Sequence, residues 1–172
     1  MATCIVMVGL PGTGKSTAVN RVIRDMGDHG DLAFVYSTDN LIEEWAKGQG
    51  WTYNFAFAKY IDKATSEMNR MLDTAIREGR DIIWDQTNTG TKKREKIVRR
   101  MKNAGYTVEC ECIRPPISEE EIDEWLDRLK NRPGKTIPDN VMSSMMENYT
   151  IPTLNEGFDV IRIFDMYGNL QQ

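Results

Sequence analysis

Short apolar runs at Thr3–Val8, residues 32–37, residues 81–85, Thr107–Ile113 and residues 159–164 have the length of buried strands. Between them the apolar positions recur at helical steps. Phe57, Ile61, Ala64, Met68, Met71 and Ala75 are spaced by threes and fours, which predicts one long amphipathic helix ending near Gly79. Lys15–Asp25 and Thr91–Asn103 read as two more helices, the second basic with Ile97 and Met101 inward. Ser118 is an N-cap with Glu121 completing a capping box, ahead of a helix that buries Ile122, Trp125, Leu126 and Leu129 and stops at Pro133. A last helix follows Pro138. Strand-like and helical runs in alternation predict an α/β fold, a five-stranded parallel sheet flanked by helices.

The 172 residues fit a single domain over 1–172, long enough to bury a core without disulfides or metal. No apolar stretch approaches the ~20 residues that span a bilayer, and no secretory leader is visible at the start. Three cysteines in no framework spacing, with His29 the sole imidazole, argue for reduced thiols in a cytosolic protein rather than a zinc site. A net charge of −4 argues against non-specific coating of nucleic acid. The charges are segregated, however. Lys92, Lys93, Arg94, Lys96, Arg99, Arg100 and Lys102 crowd one segment, and Glu119, Glu120, Glu121, Asp123, Glu124 and Asp127 another.

The strongest chemical signal is Gly9-Leu10-Pro11-Gly12-Thr13-Gly14-Lys15-Ser16, lying between the first strand and first helix. This is the complete eight-residue phosphate-loop pattern in its proper context. Its glycines let successive backbone N–H groups curl toward phosphates, and the helix N-terminus adds partial positive charge. Lys15 supplies an ammonium to the β- and γ-phosphates, and Ser16 a hydroxyl for Mg²⁺. Gly9, Pro11, Gly12, Thr13, Gly14, Lys15, Ser16 and the adjoining Thr17 are therefore the expected nucleotide-binding residues. ATP and Mg²⁺ are the expected cofactors.

In open parallel sheets the chemistry lies beyond the carboxyl ends of the strands. Asp39 and Asp85 both fall there. Asp39 suits a base that takes a proton from an acceptor hydroxyl, or else an N-cap for a helix starting near Leu41. Asp85 suits a second site position, organising Mg²⁺ or orienting an arginine, or else a simple turn.

Together with Ser37-Thr38-Asp39-Asn40, Asp85-Gln86-Thr87-Asn88 and Arg128-Leu129-Lys130-Asn131-Arg132 ahead of Pro138, the phosphate loop resembles the kinase domain of phage-type 5′-polynucleotide kinases. The resemblance spans roughly residues 5–149. It implies a kinase acting on 5′-hydroxyl ends of RNA or DNA, with a helical lid at about 118–140. It further implies Lys15, Asp39, Asp85 and Arg132 as catalytic residues, Arg128 beside Arg132 at the donor phosphates, Thr87 and Asn88 with Asp39 at the acceptor, and Ser16 with Asp85 at the metal. Where that family carries a phosphate-gripping arginine three residues after the base, this chain has Ile42. Residue 42 is expected one turn beyond Asp39, on the side where the acceptor enters.

Three further readings stay open in the sequence. The basic run 92–102 either draws in a phosphodiester backbone or forms a solvated helix face. Trp51, Tyr53, Phe55 and Phe57 either stack a base or fill the core. Arg128 either joins the site or pairs with the acidic helix face. The acceptor is correspondingly the 5′-hydroxyl end of a nucleic acid, or a nucleoside, nucleotide or sugar. A nucleotide-dependent switch or ATPase subunit is the rival outside kinase chemistry, and it leaves Asp39 without a task.

Overall fold

The computed structural model describes residues 1–132 and 135–171. Its sheet has five strands, β1 (Thr3–Val8), β2 (Phe34–Tyr36), β3 (Ile82–Trp84), β4 (Thr107–Ile113) and β5 (Val160–Phe164), in the order β2-β3-β1-β4-β5. All the pairings between these strands are parallel. The helices are α1 (Lys15–Asp25), α2 (Thr38–Gln49), α3 (Tyr53–Arg77), α4 (Thr91–Asn103), α5 (Glu119–Lys130) and α6 (Asp139–Glu147). Among the described residues no helix is long and apolar enough to cross a membrane.

The central strand β1 is buried on both faces, as a parallel sheet covered by helices requires. Cys4, Val6 and Val8 pack with Met68, Leu72 and Ala75 of α3 and with Ile97, Val98 and Met101 of α4. Ile5 and Met7 face the opposite side, against Ala18, Val19 and Val22 of α1 and Trp125 of α5. Cys110 and Cys112 point into the α3–α4 core, where burial pushes the Cys112 thiol up to about 11. A third cluster joins Ile42 and Ala46 of α2 to Ala56 and Ala64 of α3.

Several expectations shift at element ends. The second strand begins at Phe34, because 27–32 form a 3₁₀ turn that leaves Leu32 66% exposed. Asp81 lies just outside β3, its carboxylate accepting from the Thr3 N–H at 2.8 Å while its carbonyl accepts from the Phe34 N–H at 2.8 Å. Ser118 caps α5 through the Glu121 N–H at 3.1 Å, but the Glu121 carboxylate turns to Arg114 instead of closing the box. Of that helix's four expected core residues only Trp125 is fully buried, and Leu126 is 45% exposed. The expected stop at Pro133 lies outside the described residues; α5 ends at Lys130.

Ile42 requires a larger correction. It is 0% exposed, in the α2–α3 core, and does not face the acceptor. On an α-helix the residue four after Asp39 lies nearer its face than the residue three after, and here Glu43 holds the cavity-facing position. Ile42→Arg is therefore expected to bury an unpaired charge and destabilise the fold by ~3–5 kcal/mol. Urea unfolding of the variant beside the parent measures it; a change under ~1 kcal/mol would contradict the packing of α2 on α3.

Candidate active site

The loop after β1 turns on glycines at positive φ, Gly12 at 78° and Gly14 at 100°. Thr13 is buried and closes the turn, its hydroxyl donating to the Leu10 carbonyl at 2.7 Å. From the far side the Trp125 indole N–H donates to the Pro11 carbonyl at 2.7 Å, so α5 pins the loop. Gly14 stands at the N-cap of α1 and offers no side-chain cap. The first N–H groups of α1 are thus left for an anion, whereas Ser37 and Thr52 cap α2 and α3 with their hydroxyls.

β1 and β3 carry the loop and Asp85 to the same edge. The Gly9 N–H donates to the Thr87 carbonyl at 3.0 Å, and the Asp85 N–H to the Tyr36 carbonyl at 2.8 Å. Across this junction Lys15 Nζ meets Asp85 Oδ1 at 3.0 Å, with both side chains mostly buried. Asp85 is therefore more than a turn residue.

A cavity of about 1130 Å³ opens above these strand ends. Pro11, Gly12, Thr13, Gly14, Lys15, Ser16 and Thr17 line its floor, with Asp85 and Thr87 beside them. Asp39 lines the neighbouring wall. The helix there starts at Thr38 and Ser37 caps it, its hydroxyl accepting from the Asn40 N–H at 3.2 Å. The capping role considered for Asp39 is thus already filled by Ser37. Its carboxylate accepts a hydrogen bond from the Tyr53 hydroxyl. Burial, followed by that bond, raises the Tyr53 phenol above its usual range.

Arg128 and Arg132 approach from the end of α5 and both line the cavity. Arg132 Nη1 is buried with no hydrogen-bond partner among the described residues, the state of a guanidinium nitrogen that an anionic ligand would satisfy. Arg128 combines both roles the sequence left open. Its Nε donates to Glu124 at 3.1 Å on the acidic helix face, and its Nη1 to the Met166 carbonyl at 3.2 Å beside the loop. The part of the expected lid at 133–134 lies outside the described residues. From Lys135 onward that segment covers the Asp39 side of the cavity: Lys135 pairs with Glu43, and Asn54 Nδ2 donates to the Thr136 hydroxyl at 2.8 Å.

Two expected residues do not line the cavity. Asn88 is buried beneath it, at φ 49°, with its amide donating to the Met7 carbonyl at 2.8 Å. It braces β1 against the β3 loop from below the cavity. Gly9 likewise shapes the loop from below: a Cβ there would lie 3.3 Å from the Thr13 hydroxyl. The basic run also stays outside. Arg94 is fully buried, Arg100 and Lys102 pair with Asp73 and Asp159, and no residue of 92–102 lines the cavity.

Other cavity residues escaped the sequence. Arg21 lines the donor end, pairing with Glu111 at 2.8 Å and lying 4.2 Å from the Phe164 ring centre. Asp165, Met166, Tyr167 and Gly168 border the same end. None of these forms a motif. Glu43 had a usable signal, its four-residue step from Asp39.

Phosphates fit this floor: the uncapped helix N–H groups and Lys15 lie on it, and Arg132 brings to the same cavity one buried nitrogen without a partner among the described residues. Ser16 and Asp85 could hold a divalent ion only with phosphate and water oxygens completing its shell, the habit of Mg²⁺. Among the described residues no three His, Cys, Asp or Glu side chains converge as a self-sufficient metal site.

Comparison with known proteins places residues 4–152 on the family model of an AAA domain, AAA_33. A structure from the PezAT chromosomal toxin–antitoxin system of Streptococcus pneumoniae superposes with a TM-score of 0.63 at 16% identity, covering 100% of this chain and 70% of that one. A fungal RNA kinase gives 0.57 at 14%, covering 95% and 74%. The tunicamycin resistance protein of Deinococcus radiodurans gives 0.52 at 17%, covering 98% and 88%. At these identities the likeness is one of fold.

Gly12→Ala is expected to cost ~1–2 kcal/mol in stability, because alanine is strained at positive φ. Its Cβ would also lie 2.9 Å from Leu129 Cδ2, forcing that side chain aside. ATP affinity should fall at least ~10-fold as the loop N–H groups turn away. Calorimetric titration with ATP and a urea melt test the two effects separately; unchanged affinity would remove Gly12 from the phosphate cradle.

Proposed function

The chain belongs to the AAA-domain family that its residues 4–152 match, and on that premise we propose that it transfers the γ-phosphoryl group of ATP to a hydroxyl. The observation that carries this reading is the pairing of a phosphate floor with a separate carboxylate wall in one cavity: Lys15 on Asp85 at 3.0 Å below, and Asp39 on the adjoining side. A nucleotide switch needs the first of these and has no use for the second.

The loop N–H groups and Lys15 hold the donor phosphates. Ser16 and Asp85 would hold Mg²⁺, which, when bound, offsets charge on the β- and γ-phosphates. Asp39 accepts the acceptor's O–H proton as that oxygen bonds to the γ-phosphorus; the bond from phosphorus to the β–γ bridging oxygen breaks and ADP leaves. Arg132 brings its unpartnered nitrogen to the charge that develops.

For the acceptor, the geometry supports a compact molecule, such as a nucleoside, nucleotide or sugar. The wall beside Asp39 carries Glu43 and Tyr53, and Phe57, Val141 and Met145 complete an apolar side. Its lysine, Lys135, is taken up by Glu43. An anionic strand finds little attraction there. A 5′-hydroxyl nucleic-acid end is the second reading, and one observation favours it. Trp51, Phe55 and Tyr60 form an aromatic group just outside the cavity, with Phe55 53% exposed and Lys59 Nζ 4.9 Å from the Trp51 ring centre, features that suit stacked bases.

Labelled ATP offered with adenosine, uridine, nucleoside 3′-monophosphates, N-acetylglucosamine and a 5′-hydroxyl hexanucleotide decides between the two. Label on a small acceptor with none on the oligonucleotide supports the compact reading, and the reverse supports the second. Lys15→Ala and Asp39→Asn should both abolish transfer, yet only Lys15→Ala should weaken ATP binding in calorimetry. If Asp39→Asn loses ATP as severely, Asp39 belongs to the donor site.

Arg132→Ala should lower kcat by ~10³ with little change in acceptor KM, as loss of a transition-state arginine does. Arg132→Lys should restore only part, since an ammonium lacks the planar fork. Turnover near the parent value in Arg132→Ala would take this residue out of the reaction.

A further inference from the structure

Tyr53 opens α3, where the Thr52 hydroxyl accepts from the Phe55 N–H at 3.3 Å and fixes the start of the helix. From there the phenol crosses to α2 and donates to Asp39 Oδ1. Three other charged groups face it: Glu43 from α2, Arg132 from the end of α5, and Lys135, whose ammonium lies 4.6 Å from the Tyr53 ring centre while paired with Glu43. The ring is thus held from one side by Lys135, with its hydroxyl committed to a single oxygen of the carboxylate.

We propose that Tyr53 is a positioning residue for phosphoryl transfer: it fixes the Asp39 carboxylate by Oδ1 and leaves Oδ2 as the oxygen that takes the acceptor's proton. This rests on Asp39 being the base. A carboxylate without such a tether rotates freely about its last bond, and the nearby Arg132 and Lys135 would compete for both oxygens. The tether is neutral, so it orients Asp39 without cancelling the charge that makes it a base. It also stays a donor: burial and the carboxylates beside it push the Tyr53 phenol upward, so the hydroxyl remains protonated throughout the neutral range.

Tyr53→Phe removes the hydroxyl and keeps the ring over which Lys135 sits. The test uses Mg·ATP as sole substrate, with water as acceptor, so it does not depend on identifying the natural acceptor. Hydrolysis by Tyr53→Phe is expected to fall ~10-fold in kcat with ATP KM within about twofold. In protein carrying ¹³C-carboxyl aspartate, the resonance missing from Asp39→Asn identifies Asp39. Its chemical shift at neutral pH should differ between parent and Tyr53→Phe, because one carboxylate oxygen loses its donor. Because coupling is reciprocal, the Tyr53 phenol should titrate lower in Asp39→Asn, a reading that needs no folded Tyr53→Phe.

An Asp39 resonance at the same chemical shift in parent and Tyr53→Phe, or a phenol that ignores Asp39→Asn, overturns the proposal. A moved resonance with unchanged kcat overturns the positioning role while leaving the contact. The underlying reading fails separately, through Asp39→Asn: should that variant hydrolyse ATP at the parent rate, Asp39 is not the base, whatever Tyr53 does.

Discussion

A guanidinium with no exposure to water sets the constraint on which the site depends. Arg94 must be satisfied where it lies, because an unpaired buried charge would cost several kcal/mol. Its Nε and Nη2 meet the Glu156 carboxylate at 2.6 and 3.2 Å, its Nη1 donates to the Asn88 carbonyl at 3.0 Å, and its Nη2 also reaches the Thr150 hydroxyl at 3.0 Å. These contacts tie the segment before β5 to the loop after β3. Asn88, so held, spans to the Met7 carbonyl on β1, and the preceding residue accepts from Gly9. One buried cation therefore fixes the height of the phosphate loop relative to Asp85. The Lys15–Asp85 distance follows from it.

The acceptor side is held by different physics. Glu43–Lys135 and Asn54–Thr136 join α2 and α3 to the segment after α5, and all four residues border the cavity. Partly exposed ion pairs contribute little, roughly 0–1 kcal/mol, so these links part and re-form at low cost. A rigid phosphate-loop floor and a lightly fastened opposite wall meet the needs of the phosphoryl transfer proposed above. The donor must be aligned before reaction, and the acceptor has to enter and leave.

Much of this was legible in the sequence because its causes are local. Thr3–Val8, Thr107–Ile113, Lys15–Asp25 and Thr91–Asn103 fall where apolar periodicity puts them, since burial on one face or both dictates their composition. The phosphate loop is equally local: glycines, a lysine and a helix start lie within eight residues. What stayed hidden depends on residues far apart. Arg94 read as one member of a basic run, because nothing nearby reveals that Glu156 lies across from it. Asn88 read as an acceptor contact until burial beneath β1 gave its amide another task. Ile42 and Glu43 differ by one residue, yet 100° of helical rotation sends one into the core and the other to the cavity.

The two carboxylates at the strand ends show why similar residues take different parts. Asp85 faces an ammonium, so its charge is offset and its remaining oxygen is suited to a cation's shell. Asp39 faces a phenol, a donor that carries no charge of its own. Exchange the partners and the logic fails. A lysine against Asp39 would offset the charge that the proposed base relies on, and a phenol against Asp85 would leave Lys15 without its ion pair. β3 ends on the central side of the sheet, beside the loop that needs a cation steadied. β2 is the edge strand, where α2 and α3 can bring Tyr53 across. The strand order thus sets Asp85 beside the phosphate loop and Asp39 at the sheet edge, the placement on which the proposed division of metal and proton between them rests.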